Sequence, residues 1–281
     1  MHHAADNSHQ GRLRLALVLT ALFFVAEVVG GLVSNSLALL ADAGHMFTDV
    51  GALSLSLFVA WFSRQPSAPE KTYGYLRWEV LAAFLNGSVL LLVSAAIVWE
   101  ALGRLRAPEP LEGGVMLAVA LGGLVVNVLS AWILRPVHRL SLNTRGAYLH
   151  VMADAVTSLL AIAALLAGKY MGATWLDPAM GIVGAVLVAR WSYGLIGESS
   201  RVLLDRQADE GNIAALRKSI EARASDRVTD LHIWSIGHGI YAAEIAVVSD
   251  DPATPEYYKS LIPGTLNVVH ATVEAHKCRR D

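Results

Sequence analysis

Cysteine is almost absent from this sequence, and charge is scarce. The single Cys278 has no partner within the chain, which excludes a disulfide-stapled secreted scaffold. Charged residues make up only 16% of the 281 positions, well below the soluble average of about 25%. The net charge of −2 shows no basic excess, so nucleic acid is not an expected partner. No H-E-x-x-H occurs, so an intramembrane metalloprotease lacks its motif. The charge that is present is uneven. Residues 1–205 hold 13 Lys/Arg and 13 Asp/Glu, whereas the much shorter stretch 206–281 holds 9 and 11. Such a pattern predicts a membrane-embedded body with a small water-soluble tail.

A bilayer-crossing helix needs about 20 mostly apolar residues. Six stretches meet this: 13–33, 37–62, 77–102, 113–134, 146–168 and 178–198. Lys and Arg in the short connections set the orientation. Arg12, Arg14, Arg64, Lys71, Arg77, Arg135, Arg139, Arg145, Arg201 and Arg206 fall on one side, against Arg104, Arg106 and Lys169 on the other. Both termini are therefore expected in the cytoplasm. The domains expected are a cytoplasmic N-terminal segment 1–12, a six-helix transmembrane domain 13–205, and a cytoplasmic domain 206–281.

The tail reads as a compact α/β unit. Asp209–Ala224 has helical period, with Ile213, Leu216 and Ile220 on one stripe. Val228–Ile236 and Ile240–Val248 are β-rich runs joined by Gly237-His238-Gly239, a hairpin signal. A short helix at Pro255–Ile262 and a last strand at Asn267–His276 complete it. The order predicts a small ferredoxin-like sheet with helices on one face. A unit this small is marginal alone, which points to a partner subunit.

Within the spans, each ionisable residue is a candidate functional site, because a charge at mid-bilayer costs several kcal/mol. Glu27, Asp42, His45, Asp49, Glu79, Glu100, His150, Asp154 and Glu198 qualify. Two pairs share the spacing H-x-x-x-D: His45 with Asp49, and His150 with Asp154. An i, i+4 pair lies on one helical face. Two helices presenting such pairs at matching depth supply two imidazole nitrogens and two carboxylate oxygens. That donor set suits tetrahedral Zn²⁺, and Co²⁺ accepts it as well. Asp42 either orients His45 or pairs with an arginine such as Arg77, and Glu79 reads as part of a structural ion pair.

These residues also carry a resemblance. Ser36-Leu-Ala-Leu-Leu-Ala-Asp-Ala-Gly-His45-Met-Phe-Thr-Asp49, Tyr73-Gly-Tyr-Leu-Arg-Trp-Glu79 and Asn143-Thr-Arg-Gly-Ala-Tyr-Leu-His150-Val-Met-Ala-Asp154 resemble the cation diffusion facilitator family, as does Asp230-Leu-His232-Ile-Trp234 in the tail. The resemblance implies a homodimeric exporter of divalent metal in the bacterial inner membrane, exchanging ions for protons by alternating access. It carries the transport site onto His45, Asp49, His150 and Asp154, and a His at position 45 accompanies zinc preference. Trp175-Leu-Asp-Pro and the ending Val273-Glu-Ala-His-Lys-Cys278 look more like cobalt and nickel exporters of the family. Those tend to carry His where this chain has Asp49. The ligand set is given the greater weight, so zinc is expected first and cobalt second.

His270, Thr272, Glu274, His276 and Cys278 alternate, so on a strand they share one face. If Ile236 pairs with Ile240, His232 stands opposite Glu244. His232, Glu244, His270, His276 and Cys278 are thus candidate ligands of a cytoplasmic regulatory site. The loop Ser63–Thr72 contains no His, so no extra site is expected there. Two other functions are open to the same residues: a membrane metal sensor without flux, and a proton-coupled carrier of an organic solute.

Overall fold

In a computed structural model of the chain, residues 2–34, 37–63, 65–66, 70–106, 113–173, 175–223 and 225–278 are described. Six long helices come first: α1 (His2–Ser34), α2 (Leu37–Phe62), α3 (Leu76–Arg106), α4 (Gly113–Leu134), α5 (Leu142–Met171) and α6 (Leu176–Leu203). The tail follows as α7 (Glu210–Ile220), β1 (Arg227–Gly237), β2 (Ile240–Ser249), α8 (Pro255–Ser260), a 3₁₀ turn at Gly264–Leu266 and β3 (Val268–Lys277). Among the described residues, four helical stretches are long and apolar enough to cross a membrane: Gln10–Gly30, Leu76–Arg106, Leu142–Gly168 and Leu176–Leu203. Met46–Phe62 and Ala120–Leu134 are shorter apolar stretches within α2 and α4. The molecule is an α-helical, multi-pass membrane protein with a small β-containing domain at its C-terminal end.

Local chemistry explains where the helices stop. Pro136 follows α4, where the missing N–H and the proline ring oppose continuation. Ser141 caps α5, its hydroxyl accepting from the Thr144 N–H at 3.2 Å. Gly172 ends α5 in the left-handed region (φ 69°), and its N–H reaches the Gly168 carbonyl.

Buried apolar clusters hold the spans. Leu13, Ala16, Leu53, Ala60, Ala131, Leu134, Ala147 and Val151 join α1, α2, α4 and α5 in one buried cluster. Val80, Ala83, Leu142, Leu195 and Val202 join α3, α5 and α6 in another. Small residues let the backbones approach: a Cβ on Gly87 of α3 would stand 3.1 Å from Ile196 Cγ1 of α6. Polar side chains add a tie across helices. Asn143 of α5 donates to the Ser56 carbonyl of α2 at 2.7 Å, and Asn86 of α3 donates to the Ser56 hydroxyl at 3.2 Å. All three are buried.

In the tail, β1 and β2 pair antiparallel, while β3 lies parallel to β2, giving the order β1-β2-β3. Leu216, Ile220, Leu231, Ile233, Ile245, Val247, Tyr258 and Val273 build the core between the sheet and its helices. Burial raises the Tyr258 hydroxyl above its ordinary pKa, and the Ala253 N–H bonds to its oxygen at 3.3 Å. The tail is fastened to α6 by Gln207. Its side chain donates to the Leu231 carbonyl at 3.0 Å and accepts from the Ile233 N–H at 3.4 Å, while Ala208 N–H donates to the Ile233 carbonyl at 2.7 Å. Arg77 of α3 pairs with Asp205 just past α6.

Candidate metal centre

Asp49 comes from α2, and His150 and Asp154 come from α5. Asp49 is buried because its helix turn faces inward beside Met46 and Leu53. His150 and Asp154 sit one turn apart on α5, and the neighbouring Val151 and Ala153 are buried as well. Asp49 Oδ1 lies 3.1 Å from His150 Nε2, and Asp154 Oδ2 lies 3.9 Å from the same nitrogen. Donor atoms of the three residues all fall within 4.8 Å of one another. Relative exposure is 1%, 4% and 6% for Asp49, His150 and Asp154, so water cannot screen the two carboxylates. In a medium of low dielectric, two such carboxylates repel strongly, and a proton or a dication between them removes the repulsion. The donor set of ring nitrogen and carboxylate oxygens suits Zn²⁺ or Co²⁺.

His45 belongs to α2, and its side chain, like that of Asp42, lies outside the described residues. Glu27 is buried on α1 but does not join the three-residue group. Glu79 accepts a hydrogen bond from Ser63 at 2.8 Å. Arg77 takes Asp205 as its partner, Glu198 pairs with Arg145, and Glu100 pairs with Arg104.

The tail candidates lie on the open face of the sheet without converging. His232 stands opposite Glu244. The register arises differently from the simple hairpin: Gly237, not Ile236, pairs with Ile240, and a shift between Ser235 and Gly237 restores the frame. His270, Thr272, Glu274 and His276 alternate outward along β3, opposite Ala242, Glu244, Ala246 and Val248. His232 and His270 are thus separated by an intervening strand. Cys278 is exposed. Among the described residues, the intramembrane trio alone gathers three His, Cys, Asp or Glu donors around one point.

One ionisable residue escapes a reading based on motif spacing. Arg190 lies midway along α6 and is exposed, with no carboxylate within 4.0 Å among the described residues. The signal was in plain view as a cation within the last apolar run.

Comparison with known proteins decides the family. The model described as the cation efflux transmembrane domain matches residues 13–204. The chain belongs to the cation efflux family. Zinc transporter ZitB of Escherichia coli (strain K12) is 37% identical over 97% of this chain and 89% of its own length. Metal cation efflux system protein CzcD of Cupriavidus metallidurans is 34% identical, covering 97% and 88%. The cadmium, cobalt and zinc/H(+)-K(+) antiporter of Bacillus subtilis is 35% identical, covering 90% and 82%. As a cation efflux protein the chain is a transporter of metal ions and not an enzyme, and its buried His/Asp cluster lies where a transport site is required.

Proposed function

We propose that this cation efflux protein exports Zn²⁺ in exchange for protons, through an intramembrane site made of His45, Asp49, His150 and Asp154. The observation that carries the reading is the convergence of Asp49, His150 and Asp154, from two helices, on one buried point. His45, one helical turn from Asp49 by its spacing, completes four N/O ligands, the usual number for zinc. The name of the Escherichia coli relative supports zinc.

Metal ligation needs neutral imidazoles and ionised carboxylates, so protons and metal compete for the same atoms. Histidine exchanges its proton near physiological pH, which makes the site a natural carrier of either species. Metal enters from the neutral side, is displaced by protons on the acidic side, and the protonated site returns. The spans rock around one fixed site, in the manner of other alternating-access carriers.

The protomer has six spans over 13–205, with α2 and α4 crossing alongside the four longer stretches. The short segment 1–12 and the domain 206–281 lie in the cytoplasm of the bacterial inner membrane. The uneven placement of Lys and Arg in the connections supports this orientation. The functional unit is a homodimer. Exposed Arg190 supports it, since a bare cation midway along a membrane helix is costly against lipid and is relieved when a second copy covers that face. The α-β-β-α-β order supports a ferredoxin-like tail. His232, Glu244, His270, His276 and Cys278 form a regulatory site completed between two tails, for their separation within one chain leaves each short of a full ligand set.

A second reading exports Co²⁺ or Ni²⁺. The cobalt- and nickel-like ending of the chain supports it, as does the cobalt in the name of the Bacillus relative. Flux into proteoliposomes with competing Zn²⁺, Co²⁺, Ni²⁺ and Cd²⁺ across an imposed pH gradient tests both. Zinc flux that rises with the gradient is the expected result. Zinc binding without flux would make the protein a sensor, and flux indifferent to the gradient would remove the proton.

A further inference from the structure

The arginines at the membrane edges divide into two sets. Arg77, Arg104 and Arg145 each hold a carboxylate: Asp205, the pair Glu100 and Asp177, and Glu198 respectively. Arg12, Arg135 and Arg139 hold none among the described residues, although they line one open pocket of about 970 Å³. The pocket lies between residues 11–15 of α1 and the turn that follows α4. His138 adds a fourth basic group to its wall, and no acidic residue lines it among those described. Arg12 spends one N–H on the Ile133 carbonyl, at 3.1 Å, which holds its guanidinium at the pocket and leaves the rest of the fork open.

The walls are as informative as the charges. Trp132 and Leu15 line the same pocket and are 68% and 55% exposed. An exposed tryptophan beside arginines at a helix end is the composition of the headgroup zone, where an indole sits between hydrocarbon and water. The ligand that fits must therefore carry a phosphate for the guanidinium forks and apolar chains for the tryptophan and leucine. Free phosphate satisfies the first requirement alone.

We propose that this pocket binds the phosphate headgroup of an anionic phospholipid. On the orientation given above, the lipid belongs to the cytoplasmic leaflet, whose negative surface attracts such clusters. The lipid bridges α1 to the α4–α5 turn and supplies a counter-charge that no described residue of the pocket wall supplies.

The test uses the full-length protein in neutral detergent, and reads its thermal midpoint and the lipid it retains in native mass spectrometry. The probes are phosphatidylglycerol, phosphatidylcholine of the same acyl chains, and inorganic phosphate. Phosphatidylglycerol is expected to raise the midpoint, with the other two without effect. In R135Q/R139Q the affinity for phosphatidylglycerol should fall at least about tenfold, while R106Q, at the other end of the spans, should leave it unchanged. Equal protection by phosphatidylcholine, or an undiminished effect in R135Q/R139Q, overturns the proposal. Inorganic phosphate acting alone would make the occupant a free anion and overturn the lipid. If the double variant does not fold, the single R139Q, scored by the number of phosphatidylglycerol molecules retained relative to wild type, gives the same decision.

Discussion

At the scale of single residues, the site is a problem in charge balance. Asp49 and Asp154 share one imidazole and almost no water. Replacing Asp154 with Ala takes away a donor while leaving the apolar packing around Ala153 and Val151 intact. D154A is expected to remain folded and to lose at least the hundredfold or so in metal affinity that even a supporting group can carry. Zinc flux in proteoliposomes, with size-exclusion chromatography for the fold, checks this; retained flux would discard Asp154 as a ligand. D49H tests selectivity. It exchanges an oxygen donor for a nitrogen and should move relative flux toward Co²⁺ or Ni²⁺. Competition flux reads the result, and unchanged ratios would mean that α2 does not set the preference.

At the scale of elements, α2 and α5 meet through more than the candidate ligands. Asn143 and Ser56 are each seven residues from a site residue, His150 and Asp49 respectively, which places the Asn143–Ser56 bond about two turns from the centre. N143A should cost about 1 kcal/mol, the usual loss for a buried side-chain hydrogen bond whose carbonyl keeps its helical partner. A thermal midpoint near wild type would show that apolar packing alone aligns the two helices. Much of this level is legible in the chain. The paired H-x-x-x-D spacing identifies the two helices because the period of 3.6 puts both members of each pair on one face. Alternation likewise identifies the wet face of β3. Other contacts come from chain segments that no local pattern connects. Arg145 finding Glu198, or Asn143 finding Ser56, depends on how α5 packs against α6 and α2. Ile236 loses its expected place to Gly237 because the turn shifts the frame, and no spacing rule announces such a shift. The direction of β3 was equally hidden, since it depends on where α8 delivers the chain.

At the scale of the whole molecule, the proposed exchange of metal for protons requires that metal binding respond to pH. Zn²⁺ affinity should fall as pH drops from about 7.5 to about 6, the range in which imidazoles protonate. Isothermal titration of the purified protein in buffers of different ionisation enthalpy would count the protons released. No release would break the link between metal and proton. The tail is expected to tune this rather than perform it. Replacing Cys278 with Ser should change metal binding by the tail and leave transport running; unaltered tail affinity would strike Cys278 from the ligand set.

The fastening of the tail has a mechanical corollary. Gln207 grips β1 at two points, and Ala208 adds a third. Residues 207–208 therefore behave as a rivet and not as a tether. Any pivot between membrane and tail must fit into the few peptide units from Leu203 to Arg206, where Asp205 already bends the chain at a φ of 50°. A flexible insert at 207 would tear the rivet out, whereas the same insert at the bend formed by Asp250 and Asp251 would leave the lever arm whole.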